Sequence, residues 1–310
     1  ETRHSLLSFL GDMLVPVLVA LLVAVALVFV LSKVLTNRIM KPIDALDFAN
    51  PLDNEIYEEM DPLLIRIDEQ QRQLKAQNRE LAEAENMRRD FSSNVSHEMK
   101  TPLQVISGYA ELMKNDMVQP ADRQKFAALI YDEAQTMRSL INDVLTLSKL
   151  DESAFDDEGA PAIELLSVAE RVAGRLSSFA SDQGVEVRVE GAPACIAGSR
   201  TLAEEMLYNL IENGVRYNHE GGSVVMRVEP EGDEAVVRVS DTGPGISPDL
   251  RDKVFERFFR VDKSRSKETG GTGLGLAIVK HAVIYHGGTI AVEGEEGQGT
   301  TFILRFPAAN

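Results

Sequence analysis

The chain has 310 residues, with 32 Lys and Arg against 49 Asp and Glu, a formal net charge of −17. With 44% hydrophobic and 26% charged residues it has a globular composition, which excludes a wholly disordered chain. The acidity argues against nucleic acid as a partner, because a nucleic-acid binder needs a basic face, and the single cysteine, Cys195, excludes an intrachain disulfide.

The chain starts at Glu1 without an initiator Met, as a fragment would. Residues 13–31 read MLVPVLVALLVAVALVFVL, 19 residues without a charge. At ~1.5 Å rise per residue such a helix approaches the ~30 Å of a bilayer core. A soluble core helix rarely runs this long without a polar face, and a signal peptide has a shorter apolar region after a basic stretch. The segment therefore predicts a transmembrane helix over 13–31, with 1–12 as the end of an extracytoplasmic region. Lys33, Arg38 and Lys41 follow it and only Arg3 precedes it, against Glu1 and Asp12. The positive-inside rule puts the C-terminal bulk in the cytoplasm, on the inner face of the cell membrane. Residues 1–41 carry a net +2, so the remaining 269 carry −19.

Residues 32–84 read as a juxtamembrane linker followed by a relay helix. Pro42, Pro51 and Pro62 interrupt the first part. From Leu63 to Asp90 the composition turns to Gln, Glu, Arg and Lys, with Ile67, Leu74 and Leu81 at intervals of seven. This is a weak heptad, read either as one solvated helix or as a parallel dimeric helix that carries motion from the membrane.

In residues 85–152 the first chemistry appears. Phe91, Val95, Met99, Leu103 and Ile106 form an apolar stripe at helical spacing, and His97 lies off it among Ser96, Glu98 and Lys100. A surface histidine alone carries no chemistry. A carboxylate beside it, however, fixes the tautomer and accepts a proton, making the other nitrogen a better nucleophile. Thr101, four residues on, shares the His97 face and could position a water. Pro102 should bend the helix there. A second amphipathic helix is predicted from Asp122 to Leu150, with Phe126, Leu129, Ile130, Met137, Leu140, Ile141, Val144, Leu145 and Leu147 as its apolar positions. Two such helices cannot bury their apolar faces alone, so a second copy would complete an antiparallel four-helix bundle.

Residues 160–307 mix the two periodicities. Strands are predicted at Val185–Glu190, Ser223–Val228, Glu234–Ser240, Gly288–Val292 and Thr300–Phe306, and helices at Ser167–Gln183, Ser199–Tyr217 and Leu274–His286. This pattern predicts an α/β sandwich, one sheet with helices on one face. Four segments converge on nucleotide chemistry. In YNLIENGVRYN, Asn209 and Asn213 share a helical face, and two carboxamide oxygens there suit a hard cation. In DTGPGI, Gly243 and Gly245 let the backbone approach a ligand, and Asp241 is placed to accept from an adenine amino group. FERFFR supplies Arg257 and Arg260, with Lys263 beyond, as candidate phosphate partners, and Phe255, Phe258 and Phe259 as packing anchors. GGTGLGLAIVK, containing Gly271, Thr272, Gly273, Leu274 and Gly275, opens a helix whose exposed N–H groups suit an anion. It matches neither GxxxxGK[ST] nor GxGxxG.

The segment SHEMKTP resembles the phospho-acceptor box of sensor histidine kinases, and Asn213, Asp241, Phe255 and Gly271–Gly275 resemble the N, G1, F and G2 boxes of the same kinases. Together these matches cover about residues 85–307. RIMKPIDAL resembles, vaguely, the start of a HAMP relay. The resemblance implies a Bergerat-type ATP-binding fold, shared with Hsp90, MutL and type II topoisomerases. It implies that His97 takes a phosphoryl group from ATP and passes it to an aspartate of a response regulator. Glu98 would act as base, and Thr101 would serve regulator dephosphorylation. It further implies Mg²⁺ bridged by Asn213 with support from Asn209, and adenine read by Asp241 beside Tyr217. Phosphates would lie near Arg216, Arg260 and the Gly271–Gly275 loop, and Ser264–Lys280 would form a mobile lid. A reading from another class stays open: an ATP-driven conformational switch without phosphoryl transfer. The His97 segment speaks against it.

Overall fold

The apolar segment forms one helix, α1 (Thr2–Leu35), followed by a π-helical turn at Thr36–Met40. Helix α1 runs past Leu31 because Ser-Lys-Val-Leu contains no breaker. The stretch Pro16–Met40 is 25 residues long and contains an 18-residue window with a mean hydropathy of 2.9, none of it buried, so it is long and apolar enough to cross a membrane.

The computed structural model describes residues 2–41, 47, 60–152, 161–261 and 271–309. Pro42, Pro51 and most of the HAMP-like segment lie outside the described residues. The chain divides into two compact units, Glu1–Arg88 and Arg89–Asn310.

Helix α2 (Asp61–Lys114) is 54 residues long. Pro62 sits in its first turn, where a missing N–H costs nothing, and Asp61 complements the helix dipole. The helix carries through Pro102 to Lys114, so the expected bend does not end it. A turn with Asp116 at φ 53° leads to α3 (Arg123–Glu152), and Arg123 bonds Asp116 at 2.8 Å across that turn. Tyr109 and Phe126 pack edge-on at 5.1 Å, joining the two helices. Leu140, Leu147 and Leu150 of α3 are buried, whereas Leu103, Ile141 and Leu145 stay exposed on these helices.

The rest of the second unit is an α/β sandwich: β1 (Ala162–Glu164), α4 (Leu165–Asp182), β2 (Glu186–Gly191), β3 (Cys195–Ala197), α5 (Arg200–Arg216), β4 (Ser223–Glu231), β5 (Glu234–Asp241), α6 (Gly275–Tyr285), β6 (Thr289–Gly294) and β7 (Thr300–Pro307). The five-stranded sheet has the order β2-β4-β5-β7-β6. Strands β2 and β4 are parallel, with α5 in the crossover between them, and the other pairs are antiparallel. Each of the five strands falls within a residue or a few of its predicted run. The pair β1–β3 was not predicted, because three-residue strands carry no periodic signal.

The core lies between the helices and one sheet face. Val168, Val172 and Leu176 of α4, Met206, Leu207 and Leu210 of α5, and Val279 and Val283 of α6 pack on Val224, Met226 and Val228 of β4 and on Leu304 and Phe306 of β7. A smaller cluster joins α3 to α6: Leu140, Leu147 and Leu150 meet Leu274, Ala277 and Ile278, with Phe91 and Phe258 packed against them.

Candidate functional site

The four nucleotide-type segments enclose one cavity of about 990 Å³. Helix α5 starts at Ser199, whose hydroxyl accepts from the Leu202 N–H at 3.5 Å. From there the helical repeat brings Asn209 and Asn213 to the cavity wall one turn apart. The Asn209 amide donates to Glu205 O at 2.9 Å, and its Oδ1 faces the start of α6, 2.6 Å from where a Cβ on Gly275 would stand. Arg216, in the last turn, lines the cavity while bonding Glu212 at 2.6 Å and lying over the Phe179 ring at 5.7 Å. Tyr217 caps the helix and is 44% exposed at the cavity mouth.

Asp241 ends β5, half-buried in the wall of the same cavity. Its carboxylate accepts the Gly243 N–H at 2.8 Å. Burial pushes its pKa above the usual carboxylate range, and hydrogen bonds from the Gly243 and Thr300 backbones pull it back. Gly245 stands at φ 76°, and a Cβ there would be 2.1 Å from Glu295 O, so only glycine allows this approach.

Arg260 and the loop Gly271–Gly275 close the cavity's other side. Thr272 Oγ1 accepts from the Leu274 N–H at 3.3 Å and donates to the Asp143 carboxylate of α3 at 2.8 Å. Leu274 is fully buried and precedes α6 without a side-chain cap, so the first N–H groups of α6 lack an internal acceptor. Gly270, Lys263 and the lid segment Ser264–Thr269 lie outside the described residues. Arg257 is not among the cavity-lining residues. It lies over the Phe91 ring at 5.1 Å and reaches His281 at 3.4 Å, away from a phosphate role. Phe255 packs edge-on to Phe302 at 6.3 Å, as an anchor would.

Sequence reasoning missed part of the wall. Asn218 holds the corner between α5 and β4, donating to Gly214 O and Ser223 O at 3.1 Å and accepting from Thr242. Its place directly after the α5 cap was the available signal. Ile246, Leu250, Val254 and Phe302 supply an apolar side, and Ser139, Asn142 and Asp143 come from α3. No periodicity reports that a helix from another part of the chain will reach this cavity.

His97, Glu98 and Thr101 are exposed on α2, and none lines the cavity. The Thr101 hydroxyl donates to His97 O at 3.4 Å. The structure thus gathers the nucleotide set in one cavity, except Gly243 and Leu274, which are buried behind its lining, and holds the phospho-acceptor set on a separate surface.

Among the described residues no three His, Cys, Asp or Glu converge as a metal cluster. The cavity wall offers Mg²⁺ the carboxamides of Asn213 and Asn209, with the carboxylates of Glu205 and Glu212 on the same helix. Neutral oxygens of this kind fit a cation that keeps phosphate and water as its other ligands.

Comparison with known proteins agrees with this division. The family model described as His Kinase A (phospho-acceptor) domain matches residues 87–153. That described as Histidine kinase-, DNA gyrase B-, and HSP90-like ATPase matches residues 198–310. The chain is 36% identical over 229 residues to the phosphate regulon sensor protein PhoR of Pseudomonas aeruginosa, covering 73% of this chain and 51% of that protein. It is 36% identical over 233 residues to the sensor-like histidine kinase SenX3 of Mycolicibacterium smegmatis, covering 74% and 59%. The chain therefore spans between half and three fifths of the length of these two relatives. Among solved structures, full-length ShkA in complex with AMPPNP superposes with a TM-score of 0.53 at 30% identity, over 70% of this chain and 45% of that one. The Acinetobacter baumannii histidine kinase AdeS shares the fold, with a TM-score of 0.57 at 22% identity over 69% of this chain and 98% of that one. A phospho-acceptor helix pair followed by an ATPase-type sandwich, in this order and with these relatives, places the chain in the family of sensor histidine kinases.

Proposed function

We propose that this chain is the kinase part of a membrane-bound sensor that autophosphorylates on His97 from Mg-ATP and passes the phosphoryl group to an aspartate of a response regulator. The observation that carries the reading is the pairing, in one chain, of an adenine-type cavity based on Asp241 with a solvent-exposed His97 flanked by Glu98. Asp241 accepts the adenine amino group while the Gly243 N–H keeps its carboxylate aimed. Arg216, Arg260 and the N–H groups before α6 receive the phosphates. Mg²⁺ held at Asn213, with Asn209 beside it, neutralises phosphate charge when bound. Glu98 takes the proton of one His97 nitrogen, so that the other attacks the γ-phosphorus in line; an N–P bond forms, the P–O bond to the β-phosphate breaks, and ADP departs. The aspartate of the regulator then takes the phosphoryl group from the imidazole. Thr101, on the same helical face, positions the water that removes it from the regulator, which makes the protein a phosphatase as well.

The exposed Leu103, Ile141 and Leu145 support a homodimer, in which a second copy completes the bundle. Leu74 and Leu81 of the heptad segment are likewise exposed apolar residues, at 57% and 67%. The uncovered apolar surface of α1 and the basic flank at Lys33, Arg38 and Lys41 support a cell-membrane location among lipid, with the kinase domains cytoplasmic.

The test is incubation of the chain in detergent with γ-labelled ATP and Mg²⁺. Acid-labile, alkali-stable label that disappears in His97→Gln is expected. A wild-type chain that binds ATP yet never carries label would instead support the conformational switch.

A further inference from the structure

The phosphate end of the cavity already holds an anion from the chain itself. Asp143 projects from α3 into the cavity, and its Oδ2 takes the Thr272 hydroxyl at 2.8 Å, in the loop that opens α6. That loop offers a hydroxyl and uncapped N–H groups, the donors that suit a phosphate oxygen. Three residues along the same face of α3, Thr146 donates to Glu205 of α5 at 3.2 Å. Glu205 in turn supports Asn209 through its backbone carbonyl. Leu140, Leu147 and Leu150 press the same α3 face onto Leu274 and Ile278. The seat is apolar around the contact, and Glu205 and Glu212 add negative charge near Asp143. Among the described residues Asp143 is held by one hydroxyl, in the wall of the cavity beside donors that suit an anion.

We propose that Asp143 is an internal competitor of the nucleotide phosphates, and that helix α3, by engaging or releasing Thr272, sets the affinity of the cavity for ATP. The proposal rests on the ATP-binding reading above and adds a control that α3 exerts on it. With α3 seated, the Asp143 carboxylate occupies the hydroxyl of the phosphate loop and repels an incoming triphosphate. With α3 shifted along or about its axis, Thr272 is free to turn to the nucleotide. A bundle helix that moves in response to the membrane segment would thereby open or close the site without touching the adenine pocket.

The experiment titrates the full chain in detergent with a fluorescent ATP analogue, for wild type, Asp143→Asn, Asp143→Ala and Thr146→Val, with circular dichroism as a check on folding. Autophosphorylation is read in parallel with γ-labelled ATP. Both Asp143 variants should bind the analogue about fivefold or more tightly than wild type, as expected for relief of one charged contact. Thr146→Val, which loosens α3 but keeps the carboxylate, should gain clearly less. Unchanged or weaker binding in Asp143→Asn overturns the proposal, and so does an equal gain in Thr146→Val, which would assign the effect to docking alone. The near-isosteric Asp143→Asn covers the case in which Asp143→Ala does not fold. Binding without label in the wild type would refute the kinase reading while leaving the Asp143 comparison intact. Absence of binding in every variant would refute both.

Discussion

The Phe258 N–H donates to Gly273 O at 2.9 Å, and both residues hold positive φ, 63° and 71°. A phenylalanine in the left-handed region is strained and persists only where its surroundings over-determine it. Here the ring lies 5.8 Å from Phe91 of α2, and the backbone is pinned to the phosphate loop. The pair couples the segment Phe255–Arg260 to the loop before α6. Any shift of one moves the other.

That coupling makes Gly273 intolerant of a side chain. A Cβ there would stand 3.0 Å from the Phe258 Cα, with a φ that L-residues avoid. Gly273→Ala should therefore cost roughly 1–2 kcal/mol locally and weaken nucleotide binding more than it lowers the melting temperature. A fluorescent ATP analogue titration beside a thermal melt checks this. Normal binding with a large loss of stability would contradict it.

Asp241→Asn separates folding from recognition. The asparagine carbonyl can still accept the Gly243 N–H now bonded at 2.8 Å, so the fold should survive. The added amide, however, presents a donor to the adenine amino group. ATP affinity should drop at least ~10-fold, the scale of one lost buried hydrogen bond and one unpaired donor. Competition between ATP and GTP measures it, and an unchanged ATP preference would exclude Asp241 as the adenine reader.

Thr101→Ala should leave autophosphorylation near wild type and slow the loss of phosphate from a phosphorylated regulator. Among the described residues the Thr101 side chain bonds His97 O alone, at 3.4 Å, so its removal should leave the helix intact. Equal rates of regulator dephosphorylation in mutant and wild type would refute the role.

One buried and one half-buried group pull stability in opposite directions with pH. His286 is 2% exposed, with Nδ1 2.7 Å from Ala282 O and Nε2 3.2 Å from the Ser199 N–H. A carbonyl can only accept, so Nδ1, which makes the shorter carbonyl contact, carries the proton; Nε2 accepts from the Ser199 N–H, with Ser199 O 3.3 Å away, and burial favours this neutral form. Burial lowers its pKa. Its contribution is therefore complete above the unfolded value of about 6.5 and is lost as pH falls through the lower folded value. Asp143 behaves oppositely. Burial raises its pKa from 3.8 to about 6, so its contribution is complete at low pH and is lost as pH rises through about 6. Thermal melts from pH 4 to 8 should show His286→Asn lowering the melting temperature at neutral pH while removing the loss toward acid. Asp143→Asn should remove the opposing loss, which runs from the unfolded value of 3.8 up to about pH 6 and is complete above it. Parallel curves for wild type and both variants would refute the assignment.

Much of this molecule was legible in the sequence because its signals are local. An uncharged apolar run predicts its own helix, since the solvent for that segment is decided by composition. The five strands and three helices of the sandwich follow from period-2 and period-3.6 patterning. The positions of Asn209, Asn213, Asp241 and the Gly271–Gly275 loop follow from motifs whose chemistry is carried within a few residues. What only the tertiary structure decided is contact between distant segments. Arg257 looked like a phosphate partner and instead stacks on Phe91, 166 residues earlier in the chain. Asp143, one acidic residue among many on an amphipathic helix, enters the nucleotide cavity because Leu140, Leu147 and Leu150 pack on Leu274 and Ile278. The strain at Phe258 and the neutral tautomer of His286 likewise exist only once several elements close around them. Periodicity records which face of a helix is apolar, but burial, hydrogen-bond partner and pKa belong to the neighbour that covers that face, and the neighbour is chosen by the packing of the whole fold.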